Sequence, residues 1–209
     1  GGVIHINTLE GFEDNFIRLR LQGGSFGSRN LAATIGLKNK KTKSVLYQNH
    51  SESNGYRNHS KYKQQVFNAR VWHDLSESSQ IRWQFNYTNS PYAYDAGGIN
   101  IEMVKENTKQ ARPQNETYKT YETINHLKTG LQWKKKINDN LSLDSYAFYA
   151  HRDFVGRLPF GFGGFVDLKR DYYGLGTAME YKPKNHHCMQ LRFSLADQKD
   201  HRQRFKNLN

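Results

Sequence analysis

The sequence predicts an all-β fold, an antiparallel transmembrane β-barrel of which this chain is an incomplete, open portion. Three observations predict it: apolar and polar side chains alternate with a period of two, tight turns alternate with long polar loops, and aromatic residues recur at the ends of the apolar faces. Residues 81–88 carry the first most clearly. Ile81, Trp83, Phe85 and Tyr87 fall on one face and Arg82, Gln84, Asn86 and Thr88 on the other, as a strand between lipid and a wet lumen requires.

Alternation marks nine strands. The first two, about 14–22 and 28–38, set Ile17, Leu19 and Leu21, then Leu31, Ala33, Ile35 and Leu37, against polar partners. The third and fourth, about 42–52 and 61–75, alternate less cleanly, although Phe67, Ala69 and Val71 share a face. The fifth spans about 79–89. The sixth, about 118–134, puts Tyr121, Leu127, Leu131 and Trp133 opposite Glu122, His126, Lys128 and Gln132, and the seventh covers about 140–151. The eighth, about 170–182, and the ninth, about 187–197, align Tyr173, Leu175, Met179 and Tyr181, then Met189, Leu191, Phe193 and Leu195.

Between these strands, residues 39–41, 76–79, 136–140 and 183–186 read as tight turns, whereas 53–60, 90–117 and 152–169 read as long loops, with 197–209 opening another. Apart from the early turn at 23–27, the short connections all fall on one side, as in barrels with short periplasmic turns and long outer loops. Tyr173 and Tyr181 lie ~26 Å apart along their strand, or roughly 20 Å across a bilayer at a tilt near 40°. Tyr121 and Trp133 are expected to bracket strand six in the same way, giving two aromatic girdles.

A mean hydropathy of −0.90 does not oppose this reading, because half of each strand faces water and the loops dilute the rest. The chain has 209 residues, and 31 Lys plus Arg against 19 Asp plus Glu give a formal charge of +12, which favours anionic partners. These cations are dispersed, with no nucleic-acid-binding motif around them, so anionic solutes or lipopolysaccharide phosphates fit better than nucleic acid. The single Cys188 excludes an internal disulfide, and His186-His187-Cys188 reads as a turn entering a strand, with no metal site expected. Gly156–Gly164 lacks the Gly-Lys-Ser/Thr ending and the helix of a phosphate-binding loop. Asp95 with Glu102, and His151 with Asp153, lack a nucleophile and an oriented base, so no enzyme and no cofactor are expected.

The opening Gly-Gly-Val-Ile-His-Ile-Asn-Thr, residues 1–8, resembles the last plug strand of TonB-dependent outer-membrane receptors, with His5 where Asn is commoner. Gly24–Ser28, then Ser53-Asn54-Gly55-Tyr56-Arg57-Asn58-His59-Ser60, then Asn89–Ile99 are similar to the early turn and the second and third outer loops of that family. Ala96 stands where many members have Pro. The resemblance implies that residues 1–13 end the plug and its linker, and that 14–209 form the first part of a barrel of about 22 strands. It also implies the bacterial outer membrane, and uptake energised by the TonB complex acting through a plug.

Such receptors most often take ferric chelates, and Arg57, His59, Tyr92, Tyr94, Arg112 and Arg157 are the outer-loop residues expected to touch the solute. Cobalamin, another metal complex or a saccharide are the rival cargoes. From another class comes a soluble, basic all-β module for polysaccharide or nucleic acid, which would need a closed internal core.

Overall fold

The structure, a computed structural model, describes residues 12–183 and 187–208. The expected plug-exit strand at residues 1–8 and His186 of the His-His-Cys run lie outside the described residues. Nine strands form one antiparallel sheet in sequence order: β1 (Phe16–Gly24), β2 (Ser28–Lys38), β3 (Thr42–Ser53), β4 (Tyr62–Ser76), β5 (Ser79–Tyr94), β6 (Tyr121–Lys136), β7 (Leu141–Arg157), β8 (Phe165–Tyr181) and β9 (Met189–Phe205). Each strand pairs only with its chain neighbours, and within the described residues β1 and β9 are open edges. No helix among the described residues is long and apolar enough to cross a membrane.

Several strands run further than alternation alone suggests. β5 continues to Tyr94, β7 to Arg157 and β9 to Phe205, while β8 begins at Phe165. The expected loop at 152–169 therefore shrinks to 158–164, and the stretch after 197 is strand, not loop. The physical reason is that these extensions rise above the apolar zone, where both faces meet water and period-two patterning disappears. Loop 95–120 also folds two short helices, α1 (Ile101–Glu106) and α2 (Pro113–Thr117). Asn100 caps α1 by accepting from the Met103 N–H at 2.9 Å.

The register assigns every side chain to a face. One line runs Ile17, Ile35, Leu46, Ala69, Phe85, Thr129, Tyr149, Tyr173 and Asp197 across all nine strands. The apolar band slants against that line. Its lower limit is Ile17 in β1 but Met189 in β9, eight residues below Asp197, while its upper limit is Leu21 in β1 but Leu195 in β9, six residues below the register partner His201. A climb of about seven residues over eight strand steps, at 3.3 Å per residue and 4.8 Å per strand, corresponds to strands tilted by about 30°, close to the tilt that barrel walls adopt.

This tilt corrects one girdle. Tyr173 and Tyr181 bracket about 23 Å of membrane normal, but Tyr121 and Trp133 would bracket about 34 Å, too much for one apolar band. The outer partner of Trp133 is Tyr87, one strand away, and Tyr121 belongs to a higher tier. Girdle hydroxyls are satisfied locally: Tyr149 donates to Asp171 at 2.6 Å and Tyr173 to Asp197 at 2.8 Å.

Three aromatic rings of the opposite, polar face lie across cross-strand glycines. A Cβ on Gly36 would sit 2.2 Å from Phe16, one on Gly176 2.6 Å from Tyr146, and one on Gly174 2.8 Å from Phe148. Each glycine is the register partner of the ring that covers it. The early turn uses left-handed backbone at Phe26 (φ 60) and Gly27 (φ 65), with Ser28 N–H donating to Ser25 O at 3.2 Å, as the twist of a tight hairpin demands. At the other end of the sheet, Lys38 donates to Glu13 at 2.8 Å and holds that carboxyl below the usual carboxylate range, tying residues 12–15 to β2.

Two outcomes follow from this wall. Gly176→Val should push the Tyr146 ring off its seat and destabilise the barrel by about 1–3 kcal/mol, although valine ordinarily favours strands; a lower temperature of heat-modified gel migration would register it. Residues 1–209 expressed alone, with two open edges, should give no monomeric heat-modifiable barrel in detergent; a monodisperse closed barrel would contradict that.

Candidate functional site

The long connections cluster at one end of the sheet and interlock there. Gly55 (φ 80) and His59 (φ 55) turn the loop at 54–61 so that Arg57 reaches into loop 95–120. Its guanidinium donates to Gln110 O at 2.9 Å, Gly97 O at 2.6 Å and Ala96 O at 3.1 Å, and Asn58 N–H donates to Lys109 O at 2.7 Å. Arg57 thus holds three loop carbonyls at once, and that of Ala96 also accepts from Arg112 N–H at 2.8 Å.

Beneath it lies a buried polar knot. Asn115 and Thr120, each 1% exposed, bind one another and Asp95: Asn115 Nδ2 donates to Asp95 O and Thr120 Oγ1, both at 3.1 Å, and Thr120 Oγ1 donates to Asp95 O at 2.7 Å. Asn207, beyond β9, closes the other side by donating to Tyr118 O at 3.2 Å and Leu158 O at 2.9 Å. The loops form one hydrogen-bonded cover over the end of the sheet.

The residues expected to touch a solute separate into three groups. Arg57 is consumed by the loop knot. Arg157 ends β7, donates to Asn207 Oδ1 at 3.0 Å and Leu208 O at 2.8 Å, and lies 6.0 Å from the centre of the Tyr121 ring. Arg112 precedes α2, with its side chain exposed. His59, Tyr94 and Tyr92 stack in sequence, at centroid separations of 5.0 and 5.6 Å, and Tyr121 meets Tyr94 edge-on at 6.5 Å.

Those tyrosines are strand residues, not loop residues, and a β-bulge decides where they face. Even-numbered residues of β5 up to Ser90 lie on the polar face, but between Ser90 and Ala93 the ladder shifts by one residue against β6. Beyond the shift, Tyr92 pairs with Lys63 and Tyr94 with Tyr121, both on the face of the apolar band. The stack therefore crowns the outside of the wall.

The polar face beneath the loop cover carries a feature that loop-based reasoning misses. Thr88, His126, Arg152, Arg170 and Asp200 form one register line, so three basic side chains stand side by side. Asp200 takes two bonds from Arg170, at 2.7 and 2.6 Å, while the guanidinium of Arg152 lies 5.2 Å from the Phe154 centroid and its buried Nε–H has no hydrogen-bond acceptor. Lys128 below and Arg202 and Arg204 above extend the basic surface, against the carboxylates of Glu122 and Asp200 in the same half of β6–β9. Lower on this face, a cavity of about 510 Å³ is lined by Arg70, Arg82, Lys128, Tyr146, Phe148 and Tyr172, among others. No group of metal-ligating side chains occurs among the described residues, and Cys188 is exposed.

An open antiparallel sheet, apolar outside over a tilted band and basic inside, defines part of a transmembrane β-barrel wall. Solved structures share that fold. The chain superposes on the ferric citrate transporter FecA with a TM-score of 0.72 at 13% identity, covering 91% of this chain and 29% of that one. For the siderophore receptor PiuA from Acinetobacter baumannii the values are 0.71 and 10%, covering 91% and 31%, and for the copper transporter OprC 0.67 and 14%, covering 94% and 30%. The chain spans about 30% of the length of these structures. No family model matches the sequence.

Removing the Arg57 fork should free the loops without unfolding the wall. Arg57→Ala should weaken the cover by about 2–3 kcal/mol and speed surface proteolysis within residues 95–120, with strand content unchanged by circular dichroism. Arg57→Lys, which offers a point charge in place of a fork, should restore only part of the protection.

Proposed function

We propose that the chain is the first part of the barrel of a TonB-dependent outer-membrane receptor, and that the whole receptor takes up an anionic metal chelate, a ferric chelate first among them. The basic row His126–Arg152–Arg170 on the lumenal face carries this reading, because it stands beneath the loop cover where a solute passing the loops would meet it. Phe154, Phe148 and Tyr172 add ring faces beside the guanidinium groups, which suits a chelate with aromatic or carboxylate arms. The structural neighbours are a copper transporter, a siderophore receptor and a ferric citrate transporter, which supports a metal-complex cargo here.

Uptake of this kind needs capture and release, not bond chemistry, so the residues act by charge and shape, and energy comes from the TonB complex through the plug. Burial weighs against the soluble, basic module. The buried apolar side chains among the described residues are Ala69, Trp72, Ala96, Ala111 and Val166, while Ile17, Leu19, Leu21, Leu191 and Leu195 are more than 60% exposed. Such a wall finds its apolar solvent outside itself, in lipid.

Growth of the parent strain and its deletion mutant on ferric citrate or a siderophore as sole iron source tests the cargo; equal iron uptake would remove the ferric assignment. Within the intact receptor, Arg152→Glu should lower capture of an anionic chelate by about tenfold or more while leaving a neutral cargo such as cobalamin unaffected.

A further inference from the structure

We infer that Asp200 is a built-in competitor of the cargo: it holds the Arg170 guanidinium until a carboxylate arm of the solute, gripped by Arg152 and Arg170 together, takes its place. The inference rests on the uptake reading above and deepens it, since it names the arm that the basic row recognises and the residue that sets what a solute must offer. Four observations carry it. First, Arg152 lacks an acceptor. Its buried Nε–H has no hydrogen-bond partner among the described residues, and its guanidinium lies beside Phe154, 5.2 Å from the ring centroid. A buried donor left this way is costly, and a carboxylate is the group that relieves it best.

Second, the neighbouring guanidinium already shows the geometry that would relieve it. Arg170 is the register partner of Arg152, so the two side chains leave adjacent strands with Cβ atoms about 5 Å apart. Asp200, the register partner of Arg170 on β9, accepts from its Nε–H at 2.7 Å and its Nη2–H at 2.6 Å, one bond to each carboxylate oxygen. A carboxylate therefore fits this part of the wall, and one seated between Arg152 and Arg170 would keep the second fork satisfied while reaching the first. Third, the resident pair is open to exchange. The Arg170 and Asp200 side chains are 36% and 35% exposed, and an ion pair so open to water is weak.

Fourth, Asp200 has somewhere to go. The bonds from Arg170 chiefly, with help from Gln198 and the charge of Arg202, hold its carboxyl below the usual carboxylate range, so it stands above the apolar band as an anion. Arg202 follows on the same face of β9 and can take that anion when Arg170 is given up. The exchange then balances: one carboxylate leaves the Arg170 fork for Arg202, another enters, and the difference is the acceptor gained by Arg152. An uncharged arm has no means of displacing Asp200, so the aspartate discriminates against neutral solutes while yielding to anionic ones.

The test uses the intact receptor in detergent, with citrate as the probe and its uncharged trimethyl ester as the control, and reads the dissociation constant by calorimetry. Asp200→Asn should bind citrate about three- to fivefold more tightly than the wild type. Asp200→Glu, which keeps the charge, should show no gain, and the ester should bind no form. Asp197→Asn removes the same charge from the lipid-facing side of β9 and should leave citrate affinity unchanged. In an Arg170→Gln background the gain from Asp200→Asn should disappear, which separates release of the fork from a general change in lumenal potential. Heat-modifiable migration confirms that each variant is folded, and Asp200→Ser supplies the same readout should the amide variant misfold. Equal citrate affinity in the wild type and Asp200→Asn, a gain that survives Arg170→Gln, or no citrate binding by any form would overturn the competitor role while leaving iron uptake to its own growth test. Unchanged iron uptake on deletion would remove the ferric assignment and leave the citrate result standing.

Discussion

Everything in this chain depends on an unbroken antiparallel ladder. A strand wall in hydrocarbon has no water to satisfy its N–H and C=O groups, so each backbone must be paired with its neighbours across the full width of the bilayer. Neighbour-to-neighbour pairing in sequence order is the simplest arrangement that does this, and it explains why all nine strands are meander-connected. Once the ladder is fixed, the pleat assigns alternate residues to two different solvents. Lipid selects Ile17, Leu191 or Phe193 on one side, and a wet, charged interior selects Arg152 or Lys128 on the other. The same ladder accounts for an extended sheet with few buried apolar side chains, which would be unstable as a globular domain in water.

The slant of the apolar band against the register shows how local sequence records global geometry. Hydrogen-bonded neighbours such as Tyr173 and Asp197 are level in the sheet but not in the membrane, because tilted strands climb as the wall turns. A residue's environment therefore depends on strand index as well as on phase. Asp197 and Ile17 share one register line, yet one lies above the outer girdle and the other at the inner edge. This removes an apparent contradiction in placing a carboxylate in line with seven apolar or aromatic partners.

Much of the fold was legible because one force dominated each signal. Within the bilayer, alternation is enforced by solvent on both faces, and β1, β2, β5, β8 and β9 stand out in the sequence for that reason. Above the bilayer both faces are wet, and the extensions of β5, β7 and β9 carry no period-two pattern. Their pairing is propagated from the ordered ladder below, which a local reading cannot see. One local signal was present all the same: Pro91 cannot donate to a ladder and marks a bulge when it falls within a strand. Read that way, Ser90-Pro91 announces a change of phase and turns Tyr92 and Tyr94 outward.

The candidate site was harder to read than the fold, and arginine shows why. Its guanidinium suits a carboxylate ligand and a set of backbone carbonyls equally well, and a loop has far more carbonyls than a binding site has ligands. Arg57 satisfies Ala96, Gly97 and Gln110, and Arg157 satisfies Leu208, so both do structural work that spacing cannot distinguish from recognition. A basic residue in a strand is different. Its neighbours are side chains, and backbone carbonyls are already committed to the ladder, so its charge meets another side chain, as Arg170 meets Asp200, or lies over a ring, as Arg152 lies by Phe154. The row His126, Arg152 and Arg170 follows from three separate strands in one register. No window of sequence contains it, and only the pairing brings these side chains together, with a single terminal carboxylate at Asp200.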